Sequence, residues 1–361
     1  MRKKNPNTIG CAKTQVTTPS IIKISVDVHA SFYVYVRQLD DGRIEKPQRI
    51  HPDAFLGYAL KQKDLASTKV HVCYEAGPTG FHMARELIEQ GIDCIVVRPG
   101  RLDAYGNKVN NDKTDALALA ERFDRHIAGN QRALVKVRIP TREEETRRCY
   151  GRQRQQLVSK RQAFASMGRG QALLHNRRML GNWWLENAWN EHKEHLPETV
   201  VKLLENLRGI IMDISKLLEE LEKDLCAAGR KNGFPKGVGA ATMEKIDQEV
   251  CNWDRFKKRK APGSYAGLTG GVAASGHKRM DLSITKAGNR RLRTYLIEAA
   301  WRLKRHQPDC PLIQRFAEDL NQNSPRRKKA IVAVARILFT DLWRWRTGRR
   351  KLEDMGYQLG K

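Results

Sequence analysis

Residues 20–36, SIIKISVDVHASFYVYV, constrain the fold more than any other stretch of the chain. Ile22, Ile24, Val26 and Val28 alternate with Lys23, Ser25 and Asp27, the two-residue period of a β-strand with one apolar face. Asp27 then projects from the opposite face, near the strand's end, before His29-Ala30-Ser31 turns into a second β-rich run. A carboxylate on a rigid strand is positioned accurately enough for metal chemistry. The position alone favours an ordinary solvated aspartate on a sheet edge, and it gains weight only because three later carboxylates can converge on it.

The following residues extend an α/β pattern to about residue 125. An Asp40-Asp41-Gly42 turn leads to a short third strand, RIEKPQRI, and a helix, PDAFLGYALKQKD. In KVHVCYEAG, Val70, Val72 and Tyr74 alternate with His71, Cys73 and Glu75. The helix TGFHMARELIEQG follows, with Thr79 as cap and Gly91 as stop. IDCIVVRPG reads as a strand buried on both sides. NNDKTDALALAERFDRH reads as a helix capped by Asn110 or Asn111, with Ala116, Leu119, Ala120 and Phe123 on its apolar side.

Three strands, then helix–strand–helix–strand–helix, is the order of a ribonuclease-H-like sheet with a hairpin at one edge. Asp27 ends the first strand and Glu75 the fourth, while Asp112 and Asp115 share one face of the last helix's first turns. Two hard divalent cations need several carboxylates on separate rigid elements, so these four form a candidate metal site. The helical pair also has an innocent reading, because acids complement a helix N-terminus.

Charge points to the partner. The 361 residues hold 67 Lys+Arg against 40 Asp+Glu, a formal charge of +27. Such an excess suits a polyanion, with nucleic acid ahead of an anionic membrane surface. No stretch is long and apolar enough to span a bilayer. The first twenty residues carry basic side chains without an apolar core, so residues 1–19 read as a flexible basic arm rather than a secretory signal. Seven scattered cysteines with no C-x-x-C pair favour neither disulfides nor zinc, and suggest a reducing, cytoplasmic setting.

Past Pro140 the composition shifts. Residues 146–178 contain nine Lys or Arg and no acid, including Arg147, Arg148, Arg152, Arg154, Lys160, Arg161, Arg177 and Arg178. Solvated faces usually mix signs, so this basic helical stretch reads as a nucleic-acid contact. Trp183, Trp184 and Trp189 read first as packing at a helix turn and only second as a base-stacking platform. Leu203, Leu207, Ile210, Ile214, Leu217 and Leu221 keep a four-three spacing, the seam of a short coiled coil within the chain or with a second subunit. Residues 140–230 thus form a helical, coiled-coil arm after the α/β domain of residues 20–139.

A mainly α domain spans residues 231–347, with a tail at 348–361. Its FPKGVGAATMEKI segment resembles half of a helix-hairpin-helix unit, whose amides would suit a phosphate; a plain turn is as good a reading. Downstream, Ser275 sits in a Gly-rich loop with Lys278, Arg279, Lys286, Arg290, Arg291 and Arg293 nearby. Spacing alone makes this a basic phosphate-binding loop that contains a serine.

VDVH at Asp27, YEAGPTGF at Glu75, NDKTDALALA at Asp112 and Asp115, and GLTGGVAASGHKRMDLSITKAGNRRLR at Ser275 together resemble the DEDD transposases of the insertion-sequence 110/1111 family, the bridge-RNA-guided recombinases. The resemblance runs from about residue 20 to 345. It implies a RuvC-like nuclease domain, a coiled-coil arm and a C-terminal transposase domain carrying a serine. Asp27, Glu75, Asp112 and Asp115 would hold Mg2+ (or Mn2+), and Ser275 would become covalently linked to DNA. A structured non-coding guide RNA would pair with donor and target DNA, and a homo-oligomer, dimer or tetramer, would assemble a composite active site. Two departures stand out: Ala274 replaces a serine common in relatives, and MDLSITK lacks a glycine and an arginine usual there.

Three functions follow as expectations: an RNA-guided, metal-dependent recombinase; a RuvC-type junction nuclease using metal-activated water; and a nucleic-acid-binding protein with a decayed site. The presence of all four acids disfavours the last.

Overall fold

The period-two run becomes strand β1 (Ile21–Val28), which pairs antiparallel with β2 (Tyr33–Leu39) and parallel with β4 (Lys69–Glu75). β3 (Gln48–Ile50) adds to the outer edge of β2 and β5 (Asp93–Val97) to that of β4. The resulting order is β3-β2-β1-β4-β5. This computed structural model describes residues 18–99, 111–275, 278–323 and 325–360, without the side chains of 273–275, 278, 279 and 281. Most of the expected basic arm, together with Asn110, Gly276 and His277, lies outside the described residues. The chain divides into two compact units, Met1–Pro140 and Thr141–Lys361.

In the first unit, Ile22, Ile24 and Val26 pack with Phe55 and Ala59 of α1 (Pro52–Leu65) and with Met83, Ala84 and Leu87 of α2 (His82–Glu89). The opposite face is not solvated, contrary to the one-sided alternation in β1. Helix α3 (Asp112–Ile127) covers it, setting Ala116 and Ala120 against Val34 and Val36, and Leu119 and Phe123 against Cys73 and Ile95. Lys23 and Ser25 are consequently buried, and Lys23 Nζ lies 2.5 Å from Asp124 Oδ1 of α3. A lysine stem tolerates such a place when its ammonium meets a carboxylate. Two further expectations change. The residue preceding α2 is Phe81, with no side-chain cap, so Thr79 lies too early; and the third strand shortens to three residues.

The second unit is mostly helical. α4 (Arg142–Leu173) and α6 (Glu198–Asn232) lie antiparallel, with Arg154 beside Glu222 and Arg161 beside Ser215. Between them in sequence comes α5 (Glu186–Lys193). Trp183, Trp184 and Trp189 are all buried between the two long helices, as packing required; Gly168 leaves the space that the Trp183 ring fills. The buried seam of α6 is Val200, Leu204, Leu207, Ile211, Leu218 and Leu225. That is a rotation from the expected seam, whose Leu203, Ile210 and Leu217 are 54%, 43% and 49% exposed. Apolar residues on two adjacent stripes satisfy the same spacing, and contact with α4 selects one of them.

Helix α7 (Ala240–Val250) is the interior helix here, with ten of its eleven residues buried against α4, α6 and α9 (Arg290–His306). The Gly237–Gly239 turn before it packs against α9, and Arg302 donates to Val238 O and Thr242 Oγ1. A guanidinium thus stands where the helix-hairpin-helix reading placed a phosphate, and the plain turn is what forms. α8 (Ala261–Tyr265) leads into the hairpin β6 (Gly270–Ser275) and β7 (Lys278–Ile284). After α9 come α10 (Pro311–Gln314), α11 (Ala317–Asn321) and the closing α12 (Pro325–Arg346). The tail packs back: Leu352 and Tyr357 are buried, and Tyr357 donates to Asp341 Oδ2 at 3.0 Å. No helix among the described residues is long and apolar enough to cross a membrane.

Candidate metal centre and nucleic-acid contacts

Strand register brings the first two acids together. β1 and β4 pair in parallel with Ser25 opposite Cys73 and Val26 opposite Tyr74, so Asp27 and Glu75 follow at the same level of neighbouring strands. Both stand on the face covered by α3, whose first turn carries Asp112 and Asp115. Asn111 caps that turn: its side chain accepts from Lys113 N at 3.1 Å, and Thr114 Oγ1 lies 3.3 Å from the Asn111 amide. The cap fixes where α3 begins, and therefore which of its residues face the strand ends.

The electrostatics record the convergence. Glu75 is half-buried; burial pushes its carboxyl above the ordinary value, the charges of Asp27 and Asp115 add to the rise, and Arg122 opposes it. Raising by like charge is what carboxylates brought close without a cation undergo. His29 Nε2 lies 3.0 Å from Asp27 Oδ2 and 3.7 Å from Asp112 Oδ1. One ligand atom each from Asp27, His29 and Asp112 fits within a sphere of mutual distances under 4.8 Å, a group able to hold a metal ion. Oxygen donors with at most one imidazole suit a hard divalent cation better than a soft one.

Two residues at this centre carry no weight in the sequence reading. His29 reads as part of a turn in sequence, yet its place two residues after Asp27 puts both side chains at the same strand end. Arg49 of β3 has its guanidinium 4.5 Å from the centre of the Phe32 ring and 3.9 Å from Asp112 Oδ2. It is 66% exposed and approaches only because β3 pairs with β2. Nothing local in RIEKPQRI signals that.

The expected nucleic-acid contacts divide sharply. Arg147 donates to Glu244 (2.7 Å), Arg148 to Cys251 Sγ (2.6 Å), Arg152 to Glu249 (3.2 Å) and Arg154 to Glu222. Arg161 reaches Ser215, and Arg177 reaches His192 and the Glu191 carbonyl. These side chains help to hold α4 and the segment after it in place; Lys160 and Arg178 point outward and are exposed. The acid-free character of residues 146–178 is thus answered by acids on α6 and α7, far away in sequence.

The KAGNRRLR stretch divides in the same way. Gly288 admits the close approach of the Tyr265 carbonyl, since a Cβ there would lie 2.5 Å from it. Asn289 caps α9 through Leu292 N and donates to Glu249 at 2.6 Å. Arg291 binds Gln155, and Arg293 binds the carbonyls of Ala266 and Lys286. Lys286 and Arg290 remain exposed. Ser275 closes β6, paired in register with Lys278. The side chains of Ser275, Lys278 and Arg279 lie outside the described residues.

Comparison with known proteins agrees over most of the chain. The model of the transposase IS116/IS110/IS902 family matches residues 235–313, from the turn before α7 through α10. The candidate transposase y4rJ of Sinorhizobium fredii is 30% identical over 320 residues, which cover 79% of this chain and 80% of the relative. The transposase for insertion sequence element IS1111A of Coxiella burnetii is 26% identical over 257 residues, 67% of this chain and 68% of its own. The transposase for insertion sequence element IS1533 of Leptospira borgpetersenii is 30% identical over 139 residues. Likeness of this extent, running through both units, establishes that the chain belongs to the IS116/IS110/IS902 family of insertion-sequence transposases.

Proposed function

We propose that the chain is a metal-dependent DNA recombinase of a mobile element, and that Asp27, Glu75, Asp112 and Asp115 form its metal-binding centre. The observation that carries this reading is the raised carboxyl of Glu75, driven after burial by Asp27 and Asp115. Four acids from two strands and one helix N-terminus confront one another where a fold built for stability would separate or pair them. The strand order β3-β2-β1-β4-β5, with two helices on one face and α3 on the other, supports assigning the first unit to the ribonuclease-H/RuvC-like class.

The donor set suits Mg2+ or Mn2+, which when bound would polarise a phosphodiester and offset charge on its oxygens. Within the chain, β1 and β4 hold Asp27 and Glu75 rigidly, while the Asn111 cap sets Asp112 and Asp115. His29 spans Asp27 and Asp112 and keeps them close before a cation arrives. Arg49, stacked on Phe32, offers a positive charge at the rim for a non-bridging phosphate oxygen. Ser275 is assigned as the nucleophile that becomes linked to DNA, on family resemblance. A structured guide RNA supplies target choice in this reading, and the reaction proceeds in the cytoplasm where DNA is reached.

A homo-oligomer belongs to the same proposal. The stripe Leu203, Ile210 and Leu217 repeats every seven residues on the exposed side of α6, a spacing suited to an identical helix.

The test is cellular. The gene with its native flanking DNA is placed on a plasmid, and excised-circle junctions are counted for wild type, Asp27→Ala and Ser275→Ala. Loss in both supports the recombinase. Junctions that persist in Ser275→Ala but vanish in Asp27→Ala would leave a nuclease using metal-activated water.

A further inference from the structure

A second concentration of charge lies entirely within the C-terminal unit and has none of the acids of the metal centre. A cavity of about 360 Å3 opens between the segment before α8, the start of the β6–β7 hairpin, and one face of α12. Arg259, Lys260, Arg315, Arg336 and Arg344 line it, with Asp341 as its single carboxylate. Five cations against one acid leave a lining of +4. Asp341 is already engaged, since Oδ1 accepts from Arg344 at 2.9 Å and Oδ2 from Tyr357 at 3.0 Å. Among the described residues, no carboxylate lies within ion-pair distance of Arg259, Lys260, Arg315 or Arg336.

Convex surfaces scatter lysines and arginines into solvent, where their repulsion costs little. A concavity with low-dielectric walls focuses the field of its cations and attracts a counter-ion. Its floor is also specific. Arg336, Thr340 and Arg344 recur every four residues on α12, so they share one face of the helix. The buried Gly263 admits the stem of Arg336, because a Cβ at 263 would lie 3.0 Å from Arg336 Cγ. Thr269 lines the same cavity and begins the hairpin, its carbonyl accepting from Thr285 N at 2.9 Å.

We propose that this cavity binds a backbone phosphate of DNA and so anchors a strand at the root of the hairpin whose first strand ends on Ser275. Arg259 and Arg336 are the principal contacts; Arg344, held by Asp341, shapes the floor. The inference rests on reading the chain as a DNA-acting transposase, and is independent of the carboxylate centre.

Binding of the full-length chain to fluorescein-labelled duplex DNA, measured across a salt series, tests it. The Arg259→Ala/Arg336→Ala variant should bind about tenfold more weakly near physiological salt, and its slope of log affinity against log salt should flatten by about one per lost contact. Arg336→Lys should keep most of the affinity. Binding is read in EDTA, without divalent cations or strand cleavage, which separates failure here from failure of the metal-centre reading. A charge-matched Lys216→Ala/Lys223→Ala variant on exposed α6 should change the slope less. An unchanged slope in the cavity variant, or an equal loss in the α6 variant, overturns the proposal. So does weakened binding of single-stranded RNA with duplex DNA unaffected, which would make RNA the ligand. Should the double variant fail to fold, Arg336→Gln alone reads the same slope.

Discussion

Two groups of carboxylates, one in each unit, behave in opposite ways. In the first, Asp27, Glu75, Asp112 and Asp115 are drawn together at two strand ends and a helix start, partly exposed, and Glu75 is raised by burial and then by its neighbours' charge. In the second, Glu244 and Glu249 are 1% and 4% exposed, and each meets an arginine of α4. Asp247, raised by burial, is held back by Arg346, whose Nη2 lies 2.6 Å away, and by Trp253. The same functional group is thus gathered against like charge in one place and individually neutralised in another. The acids of α7 arrive with their cations, whereas those of the first unit are grouped as the proposed metal-binding role requires.

That contrast can be broken most forcefully at Asp27. Asp27→Ala should lower strand cleavage more than about a hundredfold, since even supporting partners of metal ligands cost 10–100-fold, while the thermal midpoint stays near wild type. An active Asp27→Ala protein would remove the functional half of the comparison. The structural half is tested by Arg346→Ala, which strands the buried Asp247 and should destabilise the second unit by about 3 kcal/mol in denaturant unfolding. A loss below 0.5 kcal/mol, the scale of ordinary surface changes, would show that this pair is incidental.

Glu75 sharpens the comparison through its sign. With its carboxyl raised, the folded chain holds that proton more tightly than the unfolded chain does. Metal-free stability should therefore fall as pH climbs from the ordinary value of 4.5 through the raised one. Glu75→Gln should abolish this dependence and raise the metal-free melting midpoint by about 2 °C at neutral pH, while destroying cleavage. Calorimetry across pH, with and without Mg2+, reads both effects; a lower midpoint in the variant would mean Glu75 is a stabilising residue. The smallest effect is expected at the rim. Arg49→Ala should weaken substrate binding by about threefold to tenfold, with Arg49→Lys in between and melting unchanged. A wild-type KM in Arg49→Ala would confine that residue to its contact with Phe32.

The acids were legible in the sequence because each sits at a boundary that local pattern marks: a strand stop at Asp27, another at Glu75, a helix start at Asp112. Their convergence needs only strand order and register, which hydrophobic periodicity largely sets. The basic helix is harder to read for the complementary reason. Residues 146–178 contain no acid, and counting within the window hides Glu222, Glu244 and Glu249, which answer Arg154, Arg147 and Arg152 from about 70 to 100 residues away. The KAGNRRLR stretch shows the same thing at shorter range, where a glycine approach, a cap and two internal guanidinium contacts occupy residues that composition alone would assign to phosphate.

Local alternation, caps and turn residues therefore determined where the strands and most helices lie, and which carboxylates stand at their ends, because those signals act over a few residues. Tertiary structure decided the rest: that β1 is buried on both faces, that α6 buries one apolar stripe and exposes its neighbour, and that α7 is interior. It also decided which arginines are spent inside the protein and which line an open cavity. A charge reads the same in any window of sequence, whereas its function depends on the nearest opposite charge and on the water left around it, and packing alone sets both.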